Sequence, residues 1–99
     1  MRILSLPTLK SFYEQPTYAD AKTPLITWYG FVLKSTWLSP ADVKAGFRTA
    51  SILKNGRVVF NIAGNKYRLI TSINYPHGIV FIKFIGTHKQ YDVIDAQTV

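Results

Sequence analysis

Two glycine turns set between runs of alternating apolar residues restrict the fold of this chain more than any other feature. Asn55-Gly56 separates SILK from RVVF, and Gly64-Asn65 separates RVVFNIA from KYRLITSI. Asn-Gly favours the left-handed backbone of a tight hairpin turn, and alternation with period two is typical of strands. NYPHG then precedes IVFIKFIG. The second half of the chain is therefore predicted to be a meander of antiparallel strands.

The first half carries helix signals instead. Arg2–Leu4 is predicted as a short strand, and Pro7 opens a helix over TLKSFYEQ. Pro24 suits the first turn of a second helix, while Ser39 caps a third that Asp42 completes as a capping box. Helices followed by a meander predict an α+β fold. We expect one domain over residues 1–99, with two to three N-terminal helices packed on one face of a small twisted antiparallel sheet.

The turn at Gly64-Asn65 predicts which side chains share a face of the sheet. A two-residue loop pairs Ile62 with Tyr67 and Asn61 with Arg68. The face that the helices should cover carries Val58, Phe60, Ile62, Tyr67, Leu69, Thr71 and Ile73. The opposite face is mixed and carries Val59, Asn61, Ala63, Lys66, Arg68, Ile70 and Ser72.

The next loop decides where Lys83 lies. A loop of residues 74–77 pairs Ile73 with Gly78 and places Lys83 across from Arg68, in a row with Asn61. A slip of one residue would move Lys83 beneath the helices, where burying its charge is costly, so the row is favoured. A bend at Gly86 would then fold His88 and Tyr91 back over this row.

Basic residues dominate the second half of the chain. The net charge is +7, and no acidic residue occurs between Asp42 and Asp92. This interval holds Lys44, Arg48, Lys54, Arg57, Lys66, Arg68, Lys83 and Lys89. Such a surface attracts phosphate, although charge for solubility alone is the simpler alternative.

The residue types exclude several kinds of site. There is no cysteine, no metal-ligand constellation, no carboxylate pair on this surface and no phosphate-binding glycine loop. No cofactor, disulfide or membrane segment is expected, and a cytoplasmic location fits. Arginine, lysine, histidine and tyrosine suit a phosphodiester, and RNA supplies its own 2′-hydroxyl nucleophile. Cleavage of RNA and simple binding of RNA or DNA both remain open on these residues.

Three segments carry a more specific resemblance. SPADVKAGFR, RVVFNIAGNKYRLI and IVFIKFIGTHKQYD resemble the HigB family of bacterial toxins within the RelE-like superfamily, from Arg2 to about Ile94. The resemblance implies a ribosome-dependent, metal-independent endoribonuclease that cuts messenger RNA in the ribosomal A site and leaves a 2′,3′-cyclic phosphate. It also implies an antitoxin with a helix-turn-helix domain. Operator DNA would be contacted only through the complex with that antitoxin.

The resemblance assigns residues one by one. Arg68 matches the superfamily's arginine on the third strand, and His88 lies where relatives place arginine or histidine. Val59 and Asn61 replace the two lysines of the RelE archetype, and Ile94 aligns with its catalytic tyrosine. We therefore predict Arg68, His88, Lys83 and Tyr91 as the catalytic set, with His88 as the better candidate for proton transfer and the assignment of acid and base left open among His88, Lys83 and Tyr91. The predicted RNA contacts are Lys44, Arg48, Arg57, Asn61, Lys66 and Lys89.

Two alternatives keep the fold without the cleavage. One is a non-catalytic RNA-binding module that would not depend on His88. The other is a regulatory module whose remaining function is to bind the antitoxin.

Overall fold

The computed structural model describes residues 1–99, and its second half contains the strands that the turn signals predict. The sheet has five strands in the spatial order β1-β5-β4-β3-β2. The strands are β1 (Arg2–Leu4), β2 (Ser51–Ile52), β3 (Arg57–Ile62), β4 (Tyr67–Asn74) and β5 (Ile79–Thr87). Strands β2 to β5 pair antiparallel, as predicted, whereas β1 pairs parallel to β5. An edge strand of three residues carries no directional signal in its sequence.

Three helices precede the meander. They are α1 (Leu6–Tyr13), α2 (Lys22–Leu33) and α3 (Pro40–Gly46), with a 3₁₀ helix at Pro16–Ala21 between the first two. Ser39 is the N-cap of α3, but its side chain accepts no cap bond. Asp42 instead accepts the Leu38 N–H at 2.8 Å. The predicted capping box is therefore wrong, although Asp42 still serves the helix start. None of the helices is long and apolar enough to cross a membrane.

The main core lies between these helices and the face of the sheet that the alternation predicts. All seven residues assigned to that face are buried, from Val58 on β3 to Ile73 on β4. Leu25, Trp28 and Val32 of α2 pack against them. Each fully buried side chain of this size stabilises the fold by about 1.5–3 kcal/mol. The predicted covered face is confirmed.

The pairing of β4 with β5 differs from the prediction. Asn74 pairs with Ile79 and Ile73 with Val80, because Gly78 adopts φ 67° and belongs to the turn. An irregularity between Ile70 and Thr71 then shifts the register again. These changes place Gly86, not Lys83, across from Arg68. The predicted row is wrong at Lys83 and correct for Asn61 and Arg68.

The opposite face of the sheet is also covered, and the cover extends beyond the return of His88 and Tyr91 that the sequence predicts. A fourth helix, α4, spans His88–Asp92, and the residues after it pack on this face. Val59 and Ile70 are buried there together with Ala96. Gln97 fixes this segment by donating to the Lys54 backbone oxygen at 2.6 Å. The end of this face near the β3–β4 turn remains polar, and Asn61 and Arg68 are partly exposed there.

Candidate functional site

A capping box sets the start of α4 directly after β5. Thr87 is the N-cap, and its Oγ1 accepts the Gln90 N–H at 3.1 Å. The Gln90 Oε1 in turn accepts the Thr87 N–H at 2.8 Å. This reciprocal pair satisfies two backbone donors and begins the helix immediately after the strand. As a result, α4 lies back against β4 and β5.

Gly86 permits this close return. A Cβ at position 86 would lie 2.5 Å from Cζ of Phe84 and 2.7 Å from Oε1 of Gln90. Both distances are shorter than real Cβ contacts allow, so a side chain here would shift the far ends of Phe84 and Gln90. The glycine therefore gives room for close packing at the strand end, where the sequence predicts a bend.

Arg68 is held by side chains of the β3–β4 hairpin. Its Nη1 donates to the Oδ1 atoms of Asn61, directly across on β3, and of Asn65 in the turn. These bonds fix the plane of the half-buried guanidinium and leave the N–H groups on Nη2 and Nε. A planar fork of this kind matches the oxygens of a phosphate.

Tyr91 of α4 lies over this arginine. Its ring centroid is 5.7 Å from Cζ of Arg68, within the range of a cation–π contact. The ring is partly buried and also packs against the Val59 and Ile70 cluster. The structure therefore brings Arg68 and Tyr91 together, as the sequence predicted.

His88 lies at the start of α4 beside Tyr91, with 6.5 Å between the two ring centroids. Its Nδ1 is 3.3 Å from Oδ2 of Asp92, one helical turn further on. When Nδ1 carries a proton and donates it to this carboxylate, Nε2 is left to exchange a proton with a substrate. The side chain is 46% exposed, so a ligand can reach it.

Lys83 does not join these residues. It is exposed and unpaired at the irregularity in β5, and its Nζ lies 5.8 Å from the Phe81 ring centroid. Phe81 pairs with Ser72, four residues along β4 from Arg68. A contact between Lys83 and a phosphate held by Arg68 is therefore not supported by this register.

Lys66 is paired within the chain. Its ammonium binds Asp20, whose other carboxylate oxygen accepts the Tyr67 hydroxyl. These two hydrogen bonds hold the pKa of the Asp20 carboxyl below its usual value, and the Asp20 carboxylate raises the pKa of Lys66. Folding thus places the carboxylate of Asp20 beside Lys66, which comes from the half of the sequence that has no acidic residue. A phosphate would compete with Asp20 for Lys66.

The other predicted RNA contacts divide into two groups. Lys44 donates to the backbone oxygens of Arg48 and Ala50, both at 2.8 Å, and Arg57 donates to the Val99 backbone oxygen at 2.5 Å. These two cations hold loop and tail segments. The Arg48 and Lys89 side chains, by contrast, are exposed to solvent.

Two site residues escaped the sequence reasoning. Asn65 was treated only as a turn former, although a two-residue turn next to Asn61 and Arg68 brings its amide within reach. Asp92 follows His88 at i,i+4 in HKQYD, a spacing at which helical side chains meet. No group of three or more His, Cys, Asp or Glu side chains in the chain could hold a metal ion.

The chain is similar to known toxins over most of its length. A family model described as HigB_toxin, RelE-like toxic component of a toxin-antitoxin system, matches residues 21–94. The mRNA interferase toxin HigB of Escherichia coli (strain K12) is 28% identical over 98 residues, which cover 97% of this chain and 92% of that protein. Proteins named mRNA interferase HigB from Escherichia coli O157:H7 and Shigella flexneri match to the same extent. The resemblance inferred from the sequence motifs is confirmed.

Proposed function

Because this chain belongs to the HigB family of RelE-like toxins, we propose that it is a ribosome-dependent endoribonuclease that cleaves translated messenger RNA. The relatives named mRNA interferase support the RNA substrate. The observation that carries the proposal is the convergence of Arg68, Tyr91 and His88 on one accessible surface. Arg68 offers free N–H groups, Tyr91 offers an aromatic face, and His88 offers a proton-transfer group.

The reaction needs no nucleophile from the protein. The 2′-hydroxyl oxygen of the RNA attacks the adjacent phosphorus, a P–O bond forms, and the bond to the 5′-oxygen of the next nucleotide breaks. The products are a 2′,3′-cyclic phosphate and a 5′-hydroxyl. Two protons move: one leaves the 2′-hydroxyl and one reaches the 5′-oxygen.

Arg68 is the residue that stabilises the charge developing on phosphorus. Its Nη1 is occupied by the two asparagines, so Nη2 and Nε face the non-bridging oxygens. Fixed donors of this kind stabilise a transition state without reorganising during the reaction. His88 transfers a proton through Nε2, and Tyr91 stacks on a base while it holds Arg68 in place.

Messenger RNA binding draws on the exposed cations around this centre. Arg48 and Lys89 contact phosphates of messenger or ribosomal RNA, and the remaining charges add long-range attraction. Because the site is shallow and open, the ribosome supplies the in-line geometry of the scissile bond. The antitoxin partner expected of this family carries a helix-turn-helix domain, and operator DNA is contacted through that complex.

The alternative function is a non-catalytic module that binds RNA or an antitoxin. The observation that favours it is the intramolecular use of Lys44, Arg57 and Lys66, which reduces the cationic surface available to RNA. The two functions differ in whether His88 matters, because binding alone requires no proton transfer.

The test is induced expression of wild type, Arg68→Ala and His88→Ala, with growth curves and primer extension on a translated messenger. We expect wild type to stop growth and to leave cuts in phase with codons. We expect Arg68→Ala to reduce cleavage by about 10²–10³-fold and His88→Ala by about 10²-fold or more. Lys10→Ala on α1 is the matched control. Cleavage by His88→Ala at the wild-type rate would contradict its role, and no cleavage by wild type would favour the binding module.

A further inference from the structure

The face of the sheet that carries Arg68 is open at two places and covered between them. Ile70, in the middle of this face, is buried under the segment around Ala96. Arg68 is partly exposed near one end of β4, and Ser72 and Asn74 are partly exposed near the other end. Ser72 lies four residues from Arg68 on the same face, so the two openings are about 13 Å apart. A strand of a few nucleotides bound at Arg68 is long enough to reach the second opening.

A pocket occupies this second opening. Its volume is about 400 Å³, within the range of about 300–1,000 Å³ that is typical of small-ligand sites. The β2–β3 turn and the turn after β4 form its walls. The Gly56 backbone oxygen joins these walls by accepting the Ile73 N–H at 2.8 Å. None of the lining residues carries a carboxylate that would repel a phosphate.

Phe81 supplies an aromatic surface to this pocket. It pairs with Ser72, and cross-strand partners share a face, so the Phe81 ring lies on the same face as Arg68. The residue is partly exposed. The Nζ of the exposed Lys83 lies 5.8 Å from the ring centroid. An aromatic ring for a base, with a flexible cation beside it for a phosphate, is the combination that proteins use to bind single-stranded RNA.

The remaining walls of the pocket are polar and uncharged. The Asn74 Oδ1 accepts the His77 backbone N–H at 3.1 Å, which leaves the two N–H groups of the Asn74 amide for another partner. Ser72 adds a hydroxyl and Asn55 adds a second amide. Such groups form hydrogen bonds with the edges of unpaired bases. An apolar peptide in the pocket would instead cover these groups without pairing them, which is unfavourable.

We propose that the RNA strand bound at Arg68 continues across this face and places a second nucleotide in the pocket. Its base stacks on Phe81, and Lys83 moves from the ring to the adjoining phosphate. The proposal rests on the proposed function in that RNA is the ligand. Because the strand at Arg68 is the cleaved messenger, a continuous strand makes the second nucleotide part of the same messenger. A separate strand of ribosomal RNA would bind the pocket independently of Arg68.

The first test is an NMR titration of the wild-type protein with RNA that cannot be cleaved because its 2′-hydroxyls are methylated. A hexanucleotide spans both openings, whereas a dinucleotide reaches only one. We expect the hexanucleotide to shift the amide signals of Arg68, Asn74 and Phe81. We expect it to bind at least about ten-fold more tightly than the dinucleotide, since its second contact is intramolecular. Shifts at Arg68 alone would overturn the proposal, and equal affinities would indicate separate strands and overturn it too.

Inorganic phosphate is the control ligand in this titration. It carries the charge of the RNA backbone but has no base. We expect phosphate to leave the amide signals of Asn74 and Phe81 unshifted. Shifts there as large as those caused by the hexanucleotide would show a simple anion site and would overturn the base contact.

The second test removes the aromatic face of Phe81. Phe81→Leu keeps an apolar side chain, and Phe31→Leu makes the same change at an exposed position on α2 as the control. Binding of the labelled hexanucleotide is measured by fluorescence anisotropy. We expect Phe81→Leu to weaken the affinity at least about five-fold and Phe31→Leu to leave it unchanged. Wild-type affinity of Phe81→Leu, or equal weakening by both variants, would overturn the proposal.

These tests separate failure of the pocket from failure of the proposed function. The titration uses only wild-type protein, so it decides the proposal even if Phe81→Leu does not fold. Neither test uses ribosomes or cleavage. Binding at both openings by a protein that cuts no messenger would keep this pocket and refute the nuclease. Cleavage of messenger by a protein that shows no signal at Phe81 would refute the pocket and keep the nuclease.

Discussion

The Tyr91 ring lies over the Arg68 guanidinium, with 5.7 Å between the ring centroid and Cζ. The two residues come from different parts of the chain, one from α4 and the other from β4. Asn61 and Asn65 hold the guanidinium group through hydrogen bonds from Nη1. The arginine is therefore positioned by two amides and an aromatic ring, without any carboxylate in contact with it.

Replacing Tyr91 tests whether the ring or the hydroxyl matters. The phenol oxygen takes part in no hydrogen bond within the chain, whereas the ring contacts Arg68 and the Val59 cluster. We expect Tyr91→Phe to keep cleavage within about three-fold of wild type, since the cation–π contact survives. We expect Tyr91→Ala to lose about ten-fold or more, as stacking on a base is worth about 1–3 kcal/mol. Primer extension on purified ribosomes provides the measurement. Equal losses in both variants would instead indicate proton transfer by the hydroxyl.

Replacing Asp92 tests the orientation of His88. Asp92→Asn replaces the carboxylate 3.3 Å from Nδ1 by an amide, whose NH₂ group donates to Nδ1 and so favours the tautomer with the proton on Nε2. We expect Asp92→Asn to lower the cleavage rate by a smaller factor than His88→Ala, on the order of ten-fold. Asp95→Asn, which lies outside α4, provides the matched control. A wild-type rate in Asp92→Asn would show that the half-exposed pair has no role in the reaction.

Lys83 is expected to contribute little to the chemistry. It lies over Phe81 and is separated along the sheet from Arg68 by the irregularity at Ile70 and Thr71. We expect Lys83→Ala to change cleavage by less than about three-fold, within the effect of one exposed cation on RNA affinity. Cleavage rates at low and high salt separate an effect on RNA affinity, which salt weakens, from an effect on the chemical step. A large loss that persists at high salt would return Lys83 to the catalytic set.

The cluster of Asp20, Lys66 and Tyr67 makes stability depend on pH. The pKa of Asp20 is lowered from its ordinary value of 3.8 in the folded protein. A lowered pKa stabilises the fold above the unfolded value, and that contribution is lost as the pH falls through the folded pKa. We expect Asp20→Asn to unfold at a lower temperature than wild type near pH 6, and the difference to shrink as the pH falls below 3.8 and to vanish below the lower pKa of the folded protein. Glu14→Gln removes an exposed charge at the end of α1 and is the control. A difference that persists in acid would indicate a loss of packing instead.

The local sequence predicted those parts of the structure that depend on local chemistry. The two glycine turns predicted the pairing of Asn61 with Arg68, and alternation predicted which face is buried. Thr87 and Gln90 form a capping box whose spacing is present in THKQ, although we predict only a bend at Gly86 at this point. These features involve residues that are close in the chain, where spacing and propensity dominate.

Features that depend on long-range packing were missed. The β4–β5 register depends on whether Gly78 lies inside the turn and on an irregularity halfway along the strand, and neither changes the apolar pattern. Lys66 pairs with Asp20, which lies 46 positions away in the sequence. The acid-free interval therefore suggests a higher unpaired positive charge on the surface than the folded protein has. The cover of the second sheet face by the segment around Ala96 is a tertiary contact of the same kind.

The short length of α4 has a consequence for the motion of the site. Arg68 belongs to the β3–β4 hairpin, whose strands are largely buried, so its backbone becomes exposed only when the sheet unfolds. His88 belongs to α4, a helix of five residues of which none is buried. A single capping box forms the start of this helix. Segments with few buried contacts open at much lower free energy than the core. Amide hydrogen exchange should therefore be faster in α4 than in the β3–β4 hairpin, although both contribute to one site. The proton-transfer group, His88, lies on the segment that unfolds first.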